Sequence, residues 1–402
     1  MIGLQDIRIA RERIGNAIRI SPCTHSEAFS ALTNNSIFLK LDNQQRTGAF
    51  KERGALNKLL TLSAEERARG VIAASAGNHA QGVAYHAGRH GIRARIVMPL
   101  TTPLTKVSST RAYGAEVLLH GANYDEAYDK AVEQSRTDGL TLIHAFNDDA
   151  VIAGQGTLGL EILEQHPDVE AVVVPIGGGG LIGGIACAVK ETHPAIALYG
   201  VQPAKIASMK AAVQEGKPVT LAAAATIADG IAVRRAGELT LPMVQKYVDD
   251  IVTVEEEEIA NAILLLLERE KTLAEGAGAA AIAAMLNRKL PLAGKRVAVL
   301  VCGGNIDVTL LSRIIERGLV KDGRLVRLRV HLPDYPGALH RLTGILAEHR
   351  ANIVETSYDR AYHNVNLGDT AIDITMETRG PDHIAELIAA LVAAGYAHER
   401  IL

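Results

Sequence analysis

Short apolar runs alternate with amphipathic stretches from about Val71 to Gly304. This alternation is typical of parallel strands joined by helices that cover both faces of the sheet. The predicted strands are VIAAS at 71, ARIVM at 94, EVLLH at 116, LTLIHA at 140, EAVVVPI at 170, ALYGV at 197, DIVTV at 250 and RVAVLVC at 296. The pattern therefore predicts an α/β fold built on doubly wound parallel sheets.

One helix carries a start signal in the sequence. We expect it to begin at Thr253, because Glu256 three residues later would complete a capping box. Its predicted buried stripe consists of Ile259, Ala262, Ile263 and Leu266. The acidic run at 255–258 would then lie in a solvated first turn, where the helix dipole favours negative charge.

The pattern changes after about Gly318. The segments RLVRLRVHL, PGALHRLTGILAEH, NIVETSYDRA, DTAIDITMETR and HIAELIAALVAAG predict the order strand, helix, strand, strand, helix. KDGR at 321–324 supplies a turn, and a chain of 402 residues usually holds roughly two or three domains. We therefore expect a boundary near residue 320, which separates a larger region of residues 1–320 from a smaller α+β domain of residues 323–402.

The composition excludes several classes of protein. Hydrophobic residues make up 48% of the chain and charged residues 22%, as in folded globular proteins. A net charge of −3 gives no basic surface for a phosphate backbone, so we expect no nucleic-acid partner. The longest uncharged apolar runs fall short of the roughly 18 to 20 residues that span a bilayer, and no signal peptide is recognisable. We expect a cytoplasmic protein without membrane contact.

The cysteines do not form a recognisable framework. Cys23, Cys187 and Cys302 are far apart, with no CxxC pair and no histidine at metal-ligand spacing. A disulfide scaffold and a zinc site therefore have no support.

A run of four glycines, Gly177, Gly178, Gly179 and Gly180, follows the apolar strand VVVPI and precedes the apolar helix LIGGIACAV. Residues without Cβ let backbone N–H groups approach phosphate oxygens, and the helix terminus adds positive charge. No Lys-Ser/Thr follows, so this is not a nucleoside-triphosphate loop. We expect a bound phosphate; the alternative is a flexible turn.

A second glycine motif, GQGTLG at 154–159, matches the GxGxxG pattern of dinucleotide-binding proteins. That pattern requires a strand before it and a helix after it, whereas this motif lies inside a helical stretch, so we reject a dinucleotide site there.

Two further loops carry candidate site residues. Lys51 lies in GAFKERGA; alone it would be a surface charge, but in a partly desolvated pocket it could form a Schiff base with an aldehyde cofactor. In SAGNHAQG at 75–82, Asn78 could bind a ring hydroxyl while Ser75 and the amides around Gly77 hold a carboxylate. The alternative for Asn78 and His79 is helix capping.

The sequence resembles the threonine ammonia-lyases (threonine dehydratases) with one carboxy-terminal ACT-type domain, in the pyridoxal-phosphate fold-type II family. The resemblance covers essentially the whole chain and rests on LKLDNQQRTGAFKERGA, ASAGNHAQGVA, IAGQGT, PIGGGGLIGG, IADGIAV, LAEGAGAA, VCGGN and LPDYPGAL, in this order. It implies two parallel-sheet lobes, the smaller at about 42–150 inserted into a larger one of 1–41 and 151–320, and a ferredoxin-like ACT domain at 323–402.

The resemblance also implies a role for each motif residue, with pyridoxal 5'-phosphate as cofactor. Lys51 resembles the lysine that holds the cofactor and removes the substrate Cα proton. The remaining cofactor residues would be Phe50 against the ring, Asn78 at the hydroxyl, Gly177 to Gly180 with Leu181 around the phosphate, and Cys302 beside the pyridine nitrogen. The substrate-binding loop would contain Ser75, Gly77, Asn78 and His79.

Cys302 has a chemical consequence in this position. A neutral thiol, unlike an aspartate, does little to stabilise a protonated pyridinium, so the ring would be a weaker electron sink and prompt loss of the β-hydroxyl would be favoured. Cys302 as a small buried hydrophobic residue is compatible with the same placement.

Four positions make three departures from relatives of this type. Ala76 replaces the serine that related racemases use on the opposite face of the substrate, which disfavours racemisation. Gln202 and Ser208 stand where cation-binding relatives have carboxylates, so we expect no divalent metal. Ala49 replaces the commoner serine beside the lysine, which puts any hydroxyl role there in doubt.

The tail resembles an ACT domain through its turn Asp334, Tyr335, Pro336 and Gly337. Such domains pair, so we expect a homodimer or homotetramer. The domain would either bind isoleucine or valine as an effector or only make contact between subunits, without a ligand.

The resemblance implies conversion of L-threonine, and less readily L-serine, to 2-oxobutanoate or pyruvate plus ammonia. A serine- or threo-3-hydroxyaspartate-directed ammonia-lyase and a non-catalytic amino-acid sensor are the alternatives; the intact motifs argue against the sensor.

Overall fold

The computed structural model describes residues 1–359 and 368–401. The chain divides into two compact units between Asp307 and Val308. This division lies before the predicted boundary near residue 320, because the helix Val308–Lys321 packs against the first strand of the second unit.

The first unit is an alternation of strands and helices. Its strands are β1 (Cys23–Ser26), β2 (Ser36–Leu41), β3 (Val71–Ala74), β4 (Ala94–Met98), β5 (Glu116–Leu119), β6 (Thr141–Leu142), β7 (Ala171–Pro175), β8 (Ala197–Pro203), β9 (Asp250–Val254) and β10 (Arg296–Val301). Its helices are α1 (Leu4–Ile14), α2 (Glu27–Thr33), α3 (Lys51–Thr61), α4 (Ala64–Arg69), α5 (Asn78–Arg89), α6 (Leu104–Ala112), α7 (Tyr124–Thr137), α8 (Asp149–Gln165), α9 (Gly180–Thr192), α10 (Ser208–Glu215), α11 (Thr240–Tyr247), α12 (Glu256–Glu270) and α13 (Gly276–Leu286).

These strands form two sheets. One has six strands in the order β1-β2-β10-β7-β8-β9, parallel except where β1 pairs with β2. The other has four parallel strands in the order β5-β4-β3-β6. The predicted parallel α/β architecture is confirmed, and each predicted strand corresponds to one of β3 to β10.

Two strands of the first unit are not predicted by the sequence pattern, and one predicted helix start is wrong. β1 is an exposed edge strand without an apolar pattern, and β2 carries the buried Lys40. The helix does not begin at Thr253, because Thr253 still pairs with Gln202 in the sheet. Instead α12 begins at Glu256, and its capping box joins Glu255 to Glu258. The predicted buried stripe of α12 is confirmed.

A buried charge cluster consists of Lys40, Asp42, Arg53 and Glu161. Arg53 Nη2 lies 2.7 Å from Asp42 Oδ1, and Arg53 Nη1 lies 2.6 Å from Glu161 Oε1. Lys40 Nζ donates to Glu161 Oε2 at 2.6 Å. Charges this deeply buried persist only when each is paired. The cluster therefore ties the start of α3 to β2 and α8.

The second unit is an α+β domain. Its elements are α14 (Val308–Lys321), β11 (Leu325–Pro333), α15 (Ala338–Glu348), β12 (Asn352–Asp359), β13 (Asp369–Glu377), α16 (Pro381–Ala393) and β14 (His398–Ile401). The strands form an antiparallel sheet in the order β12-β13-β11-β14. The predicted order strand, helix, strand, strand, helix is confirmed, and β14 is a further strand that the sequence pattern does not predict. The last two residues of the predicted strand NIVETSYDRA lie outside the described residues.

Across residues 1–359 and 368–401, no helix is both long enough and apolar enough to cross a membrane.

Candidate active site

A cavity of about 890 Å³ opens within the first unit, where the loops that follow β3, β6, β7 and β10 meet the start of α3. The carboxyl ends of parallel strands are where doubly wound sheets bind ligands. Every site residue predicted from the sequence lines this cavity: Phe50, Lys51, Ser75, Gly77, Asn78, His79, Gly177, Gly178, Gly179, Gly180, Leu181 and Cys302.

Lys51 is the first residue of α3, and its amine is held at the cavity wall. Nζ donates to the carbonyl oxygen of Ala145 at 2.9 Å and lies 5.1 Å from the ring centroid of Phe50. Phe50 is itself fixed, because its backbone N–H donates to the carbonyl oxygen of Cys302 at 3.0 Å. Burial lowers the pKa of Lys51 to about 8, which makes the neutral, nucleophilic amine accessible near neutral pH.

The four glycines form a close-fitting loop between β7 and α9. Gly179 has a φ of +97°, and a Cβ on Gly178 would lie only 2.4 Å from the ring of Phe146. Among the described residues, the backbone N–H groups of Gly177 to Gly180 have no backbone acceptor. The loop thus presents free amides at the N-terminus of α9, as an anion site requires.

The shape of the glycine loop is fixed by residues that no sequence motif singles out. Thr240 Oγ1 donates to the carbonyl oxygen of Gly178 at 2.6 Å, and the Gly237 N–H donates to the same oxygen at 3.2 Å. Asn147 Oδ1 accepts the N–H of Leu239 at 2.8 Å, which joins this support to the loop after β6.

The loop between β3 and α5 presents Asn78 to the cavity rather than using it as a cap. The N-cap residue of α5 is Gly77, whose N–H donates to Ser75 Oγ at 3.1 Å. Asn78 Nδ2 donates to Glu275 Oε1 at 2.6 Å, and Asn78 Oδ1 accepts from Asn305 Nδ2 at 2.8 Å. Both ends of the Asn78 amide are therefore held.

Two histidines at the cavity are neutral. Burial, with Lys51 nearby, lowers the pKa of His79 to about 3 and that of His144 to about 4. His79 Nε2 lies 2.9 Å from the carbonyl oxygen of Ile143, so this nitrogen carries the proton. His144 Nδ1 accepts the N–H groups of Phe146 and Asn147 at 3.1 and 2.8 Å, so its proton is on Nε2. The only sequence signal for His144 is its place at the end of a predicted strand.

Comparison with known proteins decides the family. Residues 14–303 match the family model described as pyridoxal-phosphate dependent enzyme. The chain belongs to this family. It is 49% identical to the L-threonine ammonia-lyase of Thermotoga maritima, covering 98% of both chains, and 50% identical to that of Geobacter sulfurreducens, covering 97% of both. A solved structure of the processed form of threonine deaminase isoform 2 from Solanum lycopersicum is similar with a TM-score of 0.74 and 39% identity, over 78% of this chain and 86% of that one.

The fold is therefore that of the pyridoxal-phosphate fold-type II family, and the cofactor is pyridoxal phosphate. The cavity fits this cofactor on structural grounds. The glycine loop offers unpaired amides for a phosphate where a Cβ at Gly178 or Gly179 would collide with neighbouring atoms. An amine of lowered pKa, Lys51, lies in the same cavity and can bind an aldehyde.

Cys302 and Glu275 are two further buried titratable groups beside Lys51. Burial, reinforced by Glu275, raises the pKa of the Cys302 thiol well above its usual range, so the thiol stays neutral. Its Sγ lies 3.6 Å from the carbonyl oxygen of Ala277. Burial, followed by the charge of Asp229, raises the pKa of Glu275 to about 7. Glu275 lies within the motif LAEGAGAA, but the sequence assigns it no role, since its partner Asn78 is remote in the chain.

The positions that depart from relatives are structurally engaged. Ser208 Oγ donates to the carbonyl oxygen of Val233 at 2.6 Å, and Gln202 Oε1 accepts the N–H of Lys210 at 2.9 Å. Ala49 is buried and bridges to Gly303. Among the residues that the structure describes, no group of three or more His, Cys, Asp or Glu side chains is placed to hold a metal ion.

Proposed function

We propose that the protein is an ammonia-lyase that converts L-threonine, and less readily L-serine, to 2-oxobutanoate or pyruvate plus ammonia. The observation that carries this proposal is the position of Lys51 Nζ, held by the carbonyl oxygen of Ala145 in the cavity that the unpaired amides of the glycine loop also line. Relatives named L-threonine ammonia-lyase match nearly the whole chain at about half identity, which supports the substrate.

We assign the cofactor to the following residues. Lys51 binds the aldehyde carbon, and the amides of Gly177 to Gly180 with Leu181 hold the phosphate at the N-terminus of α9. Phe50 packs against the ring, and Asn78 meets the ring hydroxyl. Support comes from the free amides, from the fixed Asn78 side chain and from the backbone bond that holds Phe50.

Lys51 also acts as the base. When bound, the cofactor withdraws electrons from the substrate Cα and so acidifies the Cα–H bond. The lowered pKa of about 8 lets the released amine accept that proton near neutral pH. The β-hydroxyl then leaves as water with one proton, which balances the proton that Lys51 took from Cα. The released enamine product reacts with water to give the 2-oxo acid and ammonia.

The substrate carboxylate is proposed to bind the loop formed by Ser75, Gly77, Asn78 and His79. The N-terminus of α5 points its partial positive charge at this loop. His79 contributes as a neutral side chain, because burial and the charge of Lys51 lower its pKa, while its Nε2–H is engaged by the carbonyl oxygen of Ile143.

Cys302 is proposed to face the pyridine nitrogen. A thiol that remains neutral places no negative charge there, so the ring withdraws electrons less strongly than beside a carboxylate. This favours elimination over reactions that need a long-lived carbanion. Ala76 in place of a serine agrees with this preference, since no hydroxyl is available there to return a proton from the opposite face.

A substrate panel tests the proposal. We expect catalytic efficiency to fall in the order L-threonine, L-serine, threo-3-hydroxyaspartate, with 2-oxo acid and ammonia formed in equal amounts. A higher efficiency with serine or hydroxyaspartate would make the chain an ammonia-lyase for that substrate. Colourless protein without turnover, even after incubation with pyridoxal phosphate, would support the non-catalytic sensor instead.

We further propose that the catalytic region has two lobes, a small one at about 42–150 inserted into a large one, and that the tail is an ACT-like regulatory domain. The four strands of the smaller sheet all lie within 71–142, and the antiparallel sheet of the second unit suits an ACT domain. Isoleucine or valine would act as the effector through this domain, in a homodimer or homotetramer. The enzyme would be cytoplasmic. Repeating the threonine assay with each effector and measuring the mass in solution checks these points.

A further inference from the structure

Glu275 is a buried carboxyl group that no assigned role explains. It is the N-cap residue of α13, and its backbone N–H donates to the carbonyl oxygen of Gly303 at 3.0 Å. Only 5% of the residue is exposed, and a Cβ on Gly303 would lie 2.3 Å from Oε1. The surrounding backbone is therefore shaped around this carboxyl group.

Glu275 completes a chain of hydrogen bonds that ends at Asn78. Asn305 Nδ2 donates to the carbonyl oxygen of Thr47 at 2.7 Å and to Asn78 Oδ1 at 2.8 Å. Asn78 Nδ2 then donates to Glu275 Oε1 at 2.6 Å. With its oxygen and one amide hydrogen engaged, Asn78 has a single orientation and one remaining N–H for the cavity.

The groups around the Glu275 carboxyl come from several elements. Burial makes the largest contribution to raising the pKa of Glu275, and Asp229, in the short turn Asp229–Ile231, raises it further. Asn78, Lys106 on α6 and Lys51 on α3 lower it. Lys106 Nζ lies 2.8 Å from Asp229 Oδ2. The anionic form of Glu275 in turn raises the pKa of Lys51 and of Cys302. The charge of Glu275 thus acts on both groups proposed to contact the cofactor.

We propose that Glu275 is a positioning residue of the active site, whose carboxyl group fixes the Asn78 amide against the cofactor and whose proton controls the charge beside the cofactor ring. When protonated, Glu275 leaves the Lys51 amine free of a nearby anion. When ionised, it stabilises the Lys51 ammonium, so a smaller fraction of the amine is neutral and able to accept a proton. The inference rests on the proposed placement of the cofactor.

The test is a pH titration of the visible absorbance of the bound cofactor in the holoenzyme. Wild-type protein should show a transition with a midpoint near 7, the pKa of Glu275. In Glu275→Gln, an amide oxygen still accepts from Asn78 but cannot titrate, so cofactor should remain bound while this transition disappears. In Glu275→Ala, Asn78 loses its partner and cofactor affinity should fall about tenfold or more.

Two further variants keep the test decisive. Lys106→Ala removes a positive charge that lowers the pKa of Glu275, so the transition should move to higher pH in a protein whose core is untouched. The exposed Glu133→Gln on α7 is the matched control and should titrate like wild type. A wild-type transition in Glu275→Gln, or an unmoved midpoint in Lys106→Ala, would overturn the inference. Wild-type protein without cofactor absorbance would instead contradict the proposed function.

Discussion

The ring of Phe146 occupies the space that a side chain on Gly178 would need, since a Cβ there would lie 2.4 Å from the ring. Phe146 belongs to the loop after β6. In the same loop, the carbonyl oxygen of Ala145 accepts a hydrogen bond from the Lys51 amine. One loop therefore shapes both the proposed phosphate cradle and the position of the proposed base.

Gly178→Ala should weaken cofactor binding about 10- to 100-fold, because the loop must move away from Phe146 and its amides lose their common direction. The measurement is the dissociation constant of pyridoxal phosphate from its visible absorbance. Gly183→Ala in α9, the helix that follows the glycine loop, is the control, because its Cβ would lie at an ordinary 3.5 Å from Met243. Equal affinities for the two variants would contradict the proposed cradle.

Glu161→Gln should destabilise the first unit by about 3–5 kcal/mol, because Lys40 and Arg53 would keep buried positive charge with less compensation. Urea unfolding monitored by circular dichroism measures the change. On the same helix, Glu164 pairs with Arg11 at the surface, and Glu164→Gln should change stability by no more than about 1 kcal/mol. A similar loss in both variants would show that burial of the cluster is not what makes it important.

The buried charge cluster also shows where prediction from sequence stops. The glycine loop and its flanking strand and helix are predictable, because turn chemistry and apolar periodicity are local. β2 is not, because its Lys40 resembles a surface residue until Glu161, remote in the chain, is brought beside it. The helix after β9 begins later than the capping signal predicts, because pairing of Thr253 with Gln202 is likewise a tertiary contact.

The same limit applies to the active site. Lys51, Asn78 and the glycines lie in motifs whose residue types indicate their chemistry. Glu275 and His144 do not, because their properties come from burial and from partners: Asn78 for the carboxyl group, and the N–H groups of the loop after β6 for the imidazole.

Cys302→Asp should increase transamination or racemisation relative to elimination, because a carboxylate beside the pyridine nitrogen would stabilise a protonated ring. The ratio of these products from L-threonine or L-serine, measured by chiral chromatography and oxo-acid assay, reports the partition. Cys302→Ser keeps a neutral group and should leave the ratio unchanged. An unchanged ratio in Cys302→Asp would remove the proposed role of the thiol.

The central claim is that Lys51 carries the cofactor. Borohydride makes the link between a lysine amine and the cofactor aldehyde permanent, so reduced holoenzyme can be digested and mapped by mass spectrometry. We expect the phosphopyridoxyl group on Lys51, and we expect the label to be absent from Lys51→Ala. Lys58→Ala is the control and should keep the label, because Lys58 lies on the same helix but pairs with Asp148. Labelling of another lysine in wild-type protein, or no label at all, would contradict the account.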